Sequence, residues 1–520
     1  MRSLPKAGRR AFLERALALG AAGFLQPLAG CASREVRFAS HPFTLGVASG
    51  SPRPDGVVLW TRLAPAPLEG GGMDPVPVDV RWEVAEDEAF RRVVRSGTQA
   101  ALPAAAHTVH VEVDGLAPAR EYWYRFFAGA EASPEARTRT APAPGHGDER
   151  LRLALASCQQ YEQGWYVAHR HLAAEGVDLV AFVGDYIYES SWGGDHVRHH
   201  ASGEPYTLAQ YRDRYAQYKT DPDLQRSHAC APWIVTWDDH EVDNDYANDR
   251  AEDLEPDFLA RRAAAYQAFL EHLPVRASLL RPMAGEYRIY GRHSWGSLAR
   301  LHVLDDRQYR SHEVCPRPGR GGSNVVGPEC AERLDPSRTI LGERQERWFE
   351  EGMARSRAAW NIVVQQTLMA TAGRPSARGL LHWTDGWDGY PAARERLLAA
   401  IERTRARNPV VLGGDVHANY VADLRVHPER MDTPVVATEF CGTSITSQGL
   451  GAGIVREIAA ANPHILFAES TKRGYVVLDF ARGHLETRLR TVASVKDPDS
   501  PISTRATFAV EDGHPGARAA

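Results

Sequence analysis

Four short apolar runs in this chain stop at residues able to hold a metal ion or a phosphate. Leu153-Ala-Leu-Ala-Ser-Cys158 ends on a thiol, and Val180-Ala-Phe-Val-Gly-Asp185 ends on a carboxylate, with Tyr188 just beyond it. Val235-Thr-Trp-Asp238-Asp239-His240-Glu241 and Val411-Leu-Gly-Gly-Asp415-Val-His417 complete the set. In an open α/β sheet, ligands bind beyond the carboxyl ends of the strands, so four such endings predict one shared crevice. One terminal Asp alone reads as an N-cap or a turn. A thiol, a phenol, an imidazole and several acids at successive strand ends read as a metal centre.

For those residues to meet, buried strands must carry them. From Arg150 onward, short continuous apolar runs alternate with longer helical stretches: Leu151 to Ala156, Asp178 to Val183, Trp233 to Thr236, Ala299 to Leu304, Asn361 to Gln365 and Val410 to Leu412. This βα alternation predicts an α/β catalytic domain over 150–500, with Val435 to Phe440 and Tyr475 to Phe480 extending its layers. Residues 36–142 instead show period-two alternation punctuated by Gly, Pro and Asp, which predicts a small all-β sandwich of the fibronectin or immunoglobulin kind. Within it, Leu116-Ala-Pro118 leading to Tyr122, Tyr124 and Arg125 resembles the tyrosine corner of fibronectin type III-like domains. Two domains also suit the length, because 520 residues exceed the roughly 250–300 that one core supports.

Composition narrows the partners. The chain is 43% hydrophobic with a formal charge of −5, which lacks the basic excess of a nucleic-acid binder and predicts no polynucleotide partner. Residues 1–31 carry a basic start (Arg2, Lys6, Arg9, Arg10), then an apolar stretch from Ala16 to Leu28, then small residues, the pattern of an export signal. Arg9-Arg10-Ala-Phe-Leu13 resembles a twin-arginine motif. Leu28-Ala-Gly-Cys31 reads either as a lipoprotein cleavage box, with Cys31 as the lipid anchor, or as a plain small-residue cleavage site. Cys315 and Cys330 bracket a Gly- and Pro-rich loop and are expected to form a disulfide in an oxidising compartment. Cys158 is expected to stay unpaired, and Cys230 and Cys441 are expected to be buried thiols.

Gly184-Asp185-Tyr-Ile-Tyr188-Glu189, Trp237-Asp238-Asp239-His240-Glu241-Val242 and Gly413-Gly-Asp415-Val-His417 together resemble the PhoD-type alkaline phosphatases. Asp306-Arg307-Gln-Tyr-Arg310 and Glu439-Phe-Cys-Gly-Thr-Ser444 fit the same family. The resemblance runs from about residue 40 to the C-terminal region and implies a metallophosphoesterase-like α/β sandwich. It also implies a centre of Fe3+ and Ca2+. Asp185 is the natural bridge, while Cys158, Tyr188 and His417 form a thiolate, phenolate and imidazole set that suits iron far better than calcium. Asp415 and either Asp239 or Asn244 offer oxygens to the neighbouring calcium, and the family suggests that a second calcium draws on Asp238. Where the family usually continues into an Asn-Asn pair, this chain has Asn244-Asp245.

Two close cations bind phosphate oxygens and acidify a water, so the expected reaction is direct attack by hydroxide on phosphomonoesters and phosphodiesters. His240 reads either as the proton donor to the leaving group, with Glu241 orienting its ring, or as a structural His bonded to a backbone carbonyl, and Arg307 either as a clamp on a nonbridging oxygen or as half of a solvent-facing salt bridge. A phospholipase D acting on phospholipid is the close alternative, and a noncatalytic surface-binding module the distant one. The His-rich stretch His196–His200 reads as a lid, a substrate rim or a solvated loop. Trp383, Trp387 and Tyr390 read as an aromatic wall or as loop anchors.

Overall fold

The computed structural model describes residues 37–145, 150–280 and 287–520. The export signal over 1–31, including Cys31, lies outside them. No helix among the described residues is long and apolar enough to cross a membrane.

Why the apolar runs are continuous is visible in where alternate side chains go. Successive residues of a strand face opposite sides of its sheet. In strand Leu151–Ala156, Leu153 and Leu155 enter a core shared by two sheets, while Ala154 and Ala156 enter a core roofed by helices. Strand Leu179–Phe182 splits the same way, with Leu179 and Ala181 on one side and Val180 and Phe182 on the other. A strand buried on both faces has no polar side to show.

Two mixed sheets result. Strands Leu151–Ala156, Leu179–Phe182 and Trp233–Val235 run parallel and adjacent in a ten-stranded sheet. Strands Ala299–Val303, Trp360–Val364, Pro409–Gly413 and Ala437–Cys441 run parallel in a seven-stranded sheet. Leu153, Leu155, Leu179, Leu301, Ile362, Val410 and Phe440 fill the core between the sheets. Helices Val167–Ala173, Leu208–Lys219, Pro222–Cys230 and Phe258–His272 cover the outer face of the larger sheet. Helices Gly342–Arg355, Pro391–Thr404 and Ala452–Ala461 cover the other. Their starts are locally encoded: Thr207 and Gln210 form a capping box, and Asp221 accepts the Asp223 and Leu224 amides ahead of Pro222.

The front segment departs from a free-standing sandwich. Strands Val78–Ala85, Val93–Ala101, Glu121–Ala128, Glu131–Ala132 and Ala136–Arg139 make a five-stranded sheet of their own. Strands Val47–Arg53, Gly56–Arg62 and Thr108–Asp114 instead extend the ten-stranded catalytic sheet, joined where Gly50 pairs with Trp233. Gly50 permits this approach, since a Cβ there would sit 2.3 Å from the Pro274 carbonyl oxygen. Tyr122 is a packing residue whose Oη accepts the Ala117 amide at 2.8 Å. At the far edge, strands Ile502–Glu511 and His514–Ala519 carry the same sheet past residue 500. Cys315 and Cys330 are disulfide-bonded; Cys158 and Cys441 are buried free thiols, and Cys230 is half-buried.

Candidate metal centre

The parallel strands of both sheets deliver their next residues to one place. Beyond Ala156 comes Cys158, beyond Phe182 comes Asp185, beyond Val235 come Asp238, Asp239 and His240, and beyond Gly413 come Asp415 and His417. The turns are sharp: Cys158, Asp185, Asp415 and His417 hold φ of 58°, 56°, 65° and 52°, left-handed values uncommon for residues with a Cβ. Strained backbone of this kind clusters at functional sites. Gly184, at φ 108°, lets two of the turns touch, because a Cβ there would lie 2.4 Å from the Asp238 Cβ.

Ligand atoms of Cys158, Asp185 and His417 lie within 4.8 Å of one another, as do those of Asp185, Asp239 and His240, and those of Asp239, Asp245 and Asp385. Tyr188 joins the first group: its Oη donates to Asp185 Oδ2 at 2.7 Å and lies 3.1 Å from His417 Nε2. Ser447 Oγ donates to the same phenol oxygen at 2.7 Å. The His417 tautomer follows from its partner. Nδ1 faces the Gln448 carbonyl oxygen at 2.6 Å and must donate, so the Nε2 lone pair is left for a metal.

A cation is what these groups fit. Asp185 Oδ1, Asp238 Oδ2 and Asp415 Oδ2 are buried with no hydrogen-bond partner among the described residues, a costly state for an acidic oxygen. Burial pushes the Asp185 carboxyl well above the ordinary range; His240 opposes the rise, and Asp239, Asp238 and Glu241 reinforce it. Burial and the carboxylates of Asp238, Asp385 and Asp239 do the same to Asp415. The Cys158 thiol and the Tyr188 phenol are likewise pushed up, first by burial and then by Asp185. A bound cation inverts this balance and favours the anionic forms.

Two expected roles are reassigned. Glu241 does not orient His240; it is turned beneath the loops, where its carboxylate accepts the amides of Asp185, Tyr186 and Asp238. The partner of His240 is Glu189, whose Oε2 lies 2.7 Å from Nδ1. Burial opposes the His240 charge, but Glu189, Asp239 and Asp185 outweigh it and raise its pKa well above the ordinary imidazole value. Arg307 is completely buried and presents no fork to the cavity. Its Nε donates to Asp238 Oδ1, and its two terminal nitrogens donate to the two oxygens of Asp385 at 2.5 and 2.7 Å. It cross-links acids of the site instead of gripping a phosphate.

Asn244 lines the cavity and donates its amide to Glu252 at 3.0 Å, which leaves its oxygen for other work. Its neighbour Asp245 groups with Asp239 and Asp385. Asp238 gives one oxygen to Arg307, and burial drives its pKa up to about 6 against the pull of that guanidinium. A cavity of about 720 Å³ is lined by Asp185, Asp239, His240, Asp415 and His417 together with Val325, Leu368, Ala372, Trp383, Leu450 and Ile458. Trp192 also lines it and stacks on His417, with centroids 5.8 Å apart and planes 6° apart. Of the aromatic trio, Trp383 belongs to the wall, whereas Trp387 and Tyr390 are buried anchors bonded to Gln365 and to Ser311 and Glu313.

Glu189, Asp245 and Asp385 were not among the expected site residues. Glu189 directly follows Tyr188 in the strand-end motif, and that adjacency is the signal that could have found it. Asp385 sits in a loop between Trp383 and Trp387 with no motif to mark it.

Fold and cluster together define the class: an α/β protein whose candidate metal ligands gather at the strand ends. Residues 153–489 match the family model described as PhoD-like phosphatase, and residues 30–142 match that of the PhoD-like phosphatase N-terminal domain. Alkaline phosphatase D of Bacillus subtilis (strain 168) is 46% identical over 494 residues, which span 92% of this chain and 83% of that protein. A solved structure titled "Structure of PhoD" superposes with a TM-score of 0.88 at 45% identity, covering 93% of each chain. The chain belongs to the PhoD-like phosphatase family, and it is a phosphoric ester hydrolase.

Proposed function

We propose that this phosphatase is exported through its N-terminal signal and hydrolyses phosphomonoesters and phosphodiesters at an Fe3+/Ca2+ centre. In this reading the two-sheet catalytic region is a metallophosphoesterase-like sandwich. The observation that carries it is the convergence of Cys158, Asp185, Tyr188 and His417 on one point, with Asp185 also grouped with Asp239 and His240. A thiolate, phenolate, imidazole and carboxylate set suits iron, and the oxygens of Asp185, Asp415, Asp239 and Asn244 suit calcium. Asp239, Asp245 and Asp385 supply a further all-oxygen group, and Asp238, on which the family suggests a second calcium draws, keeps one oxygen without a hydrogen-bond partner among the described residues. When bound, the cations neutralise phosphate oxygens and acidify a water.

This chain's residues do the rest. His240, held at Nδ1 by Glu189, keeps Nε2 for the cavity and donates a proton there to the leaving alkoxide. Arg307 fixes Asp238 and Asp385 as a positioning residue. Trp192 and the apolar residues of the cavity offer a surface for the organic part of the ester. Family membership sets aside the noncatalytic module. A second substrate reading, phospholipid cleavage, is favoured by the aliphatic wall of Leu368, Leu450 and Ile458, which suits a diester with an apolar substituent.

Side-by-side assays of a monoester, a diester and a phospholipid on the metal-replete protein test this. Asp185→Asn is expected to abolish every activity the wild type shows. Full activity in a folded Asp185→Asn protein would remove the bridging assignment.

A further inference from the structure

A second cluster of ligating side chains lies outside the catalytic cavity. Glu162 is 3% exposed, and its Oε2 has no hydrogen-bond partner among the described residues. Facing it are His196, with Nδ1 4.0 Å from that oxygen, and His199, with Nδ1 3.6 Å from Oε1. Ligand atoms of the three residues lie within 4.8 Å of one another. None of the three lines that cavity.

One of the rings is already held in the orientation a ligating imidazole needs. His196 Nε2 lies 2.9 Å from the Trp192 carbonyl oxygen, which can only accept, so Nε2 carries a hydrogen and Nδ1 is the nitrogen turned toward Glu162, the one that binds an ion in the neutral ring. An outer hydrogen bond to a backbone carbonyl is the usual way a ligating imidazole is oriented. His200, the third imidazole beside Glu162, is already spent: Nδ1 faces Arg214 Nη1 at 3.1 Å and Nε2 faces the Tyr218 hydroxyl at 3.0 Å. Two imidazoles and one carboxylate, with His199 78% exposed, make a three-ligand site open to solvent at its fourth position. That is the donor set and openness of a Zn2+-class site.

We propose that Glu162, His196 and His199 form a peripheral binding site for a divalent transition ion of the Zn2+ class. Its position ties the irregular segment 189–200 to the body of the enzyme. Trp192, whose carbonyl orients His196, is the residue stacked on His417. Gln163, next to Glu162, bonds both the Trp192 carbonyl and the Gln448 amide. A bound ion would therefore brace the aromatic rim against the His417 imidazole.

The test is titration of the untagged full-length protein, already carrying its catalytic metals, with Co2+ as a coloured stand-in for Zn2+. Equilibrium dialysis and visible absorption follow uptake. One further equivalent of Co2+, displaced by Zn2+, is expected in the wild type. His199→Ala, a change at an exposed side chain, is expected to weaken it by at least the 10- to 100-fold that loss of an outer-shell partner costs. Glu162→Gln is expected to do the same. No further equivalent in the wild type, or equal uptake by wild type and His199→Ala, overturns the proposal; both outcomes are independent of whether the enzyme hydrolyses phosphate esters.

Discussion

His240 Nδ1 stands 2.7 Å from Glu189 Oε2, and both side chains are buried. The acid that follows His240 in the chain points away from it and braces the loops instead. The pairing therefore spans two strand ends, so the loop carrying Tyr188 and the loop carrying Asp239 together set the charge of one imidazole.

Removing either member should reveal that division of labour. His240→Asn is expected to lower kcat by about 10²–10⁴-fold, the range of general acid catalysis. Glu189→Gln keeps the shape and removes the charge. Because Glu189 raises the His240 pKa, its neutralisation lowers that pKa, and the protonated imidazole is lost at lower pH as pH rises. The alkaline limb of kcat/KM should move toward acid in Glu189→Gln; an unmoved limb contradicts the pairing.

Arg307 separates two roles by two measurements. As a buried cross-link between Asp238 and Asp385, its loss in Arg307→Ala should cost about 3–5 kcal/mol of stability, read from denaturant unfolding. As a phosphate clamp it would instead raise KM and leave stability unchanged. We expect the first result, with lowered metal retention.

Much of this site is legible in the chain because each key residue ends an apolar run. Cys158, Asp185, Asp239, Asp415 and His417 are announced by the strands before them, and the strand-end rule brings them together. Asp385 is not announced, since its place depends on how a loop packs against Arg307 and leaves no periodic trace. Arg307 was legible as a residue but not as a role: sequence position does not reveal whether a fork faces solvent or two carboxylates. The shared sheet of the front segment was hidden for a related reason. It hangs on one pairing between Gly50 and Trp233, distant in the chain and permitted by a missing Cβ.

Acid should unfold the protein through its buried histidines. His169 sits in the core between Phe182 and Trp233, and burial brings its pKa down to about 3. Against an unfolded value near ~6.5, the unfolded chain binds a proton in this window that the folded chain refuses. Stability attached to His169 is thus present above about pH 6.5 and falls by up to ~1.4 kcal/mol per pH unit below it. Denaturant midpoints from pH 8 to pH 5 should fall less steeply in His169→Phe than in wild type. Parallel curves would mean that His169 does not titrate as described.

The central claim is that a thiol, a carboxylate, a phenol and an imidazole share one iron ion. X-ray absorption at the iron edge of the purified protein tests it most directly. A single sulfur scatterer is expected in the wild type, lost in Cys158→Ser while the protein remains folded. Iron with no sulfur neighbour, or a spectrum unchanged by Cys158→Ser, would contradict it.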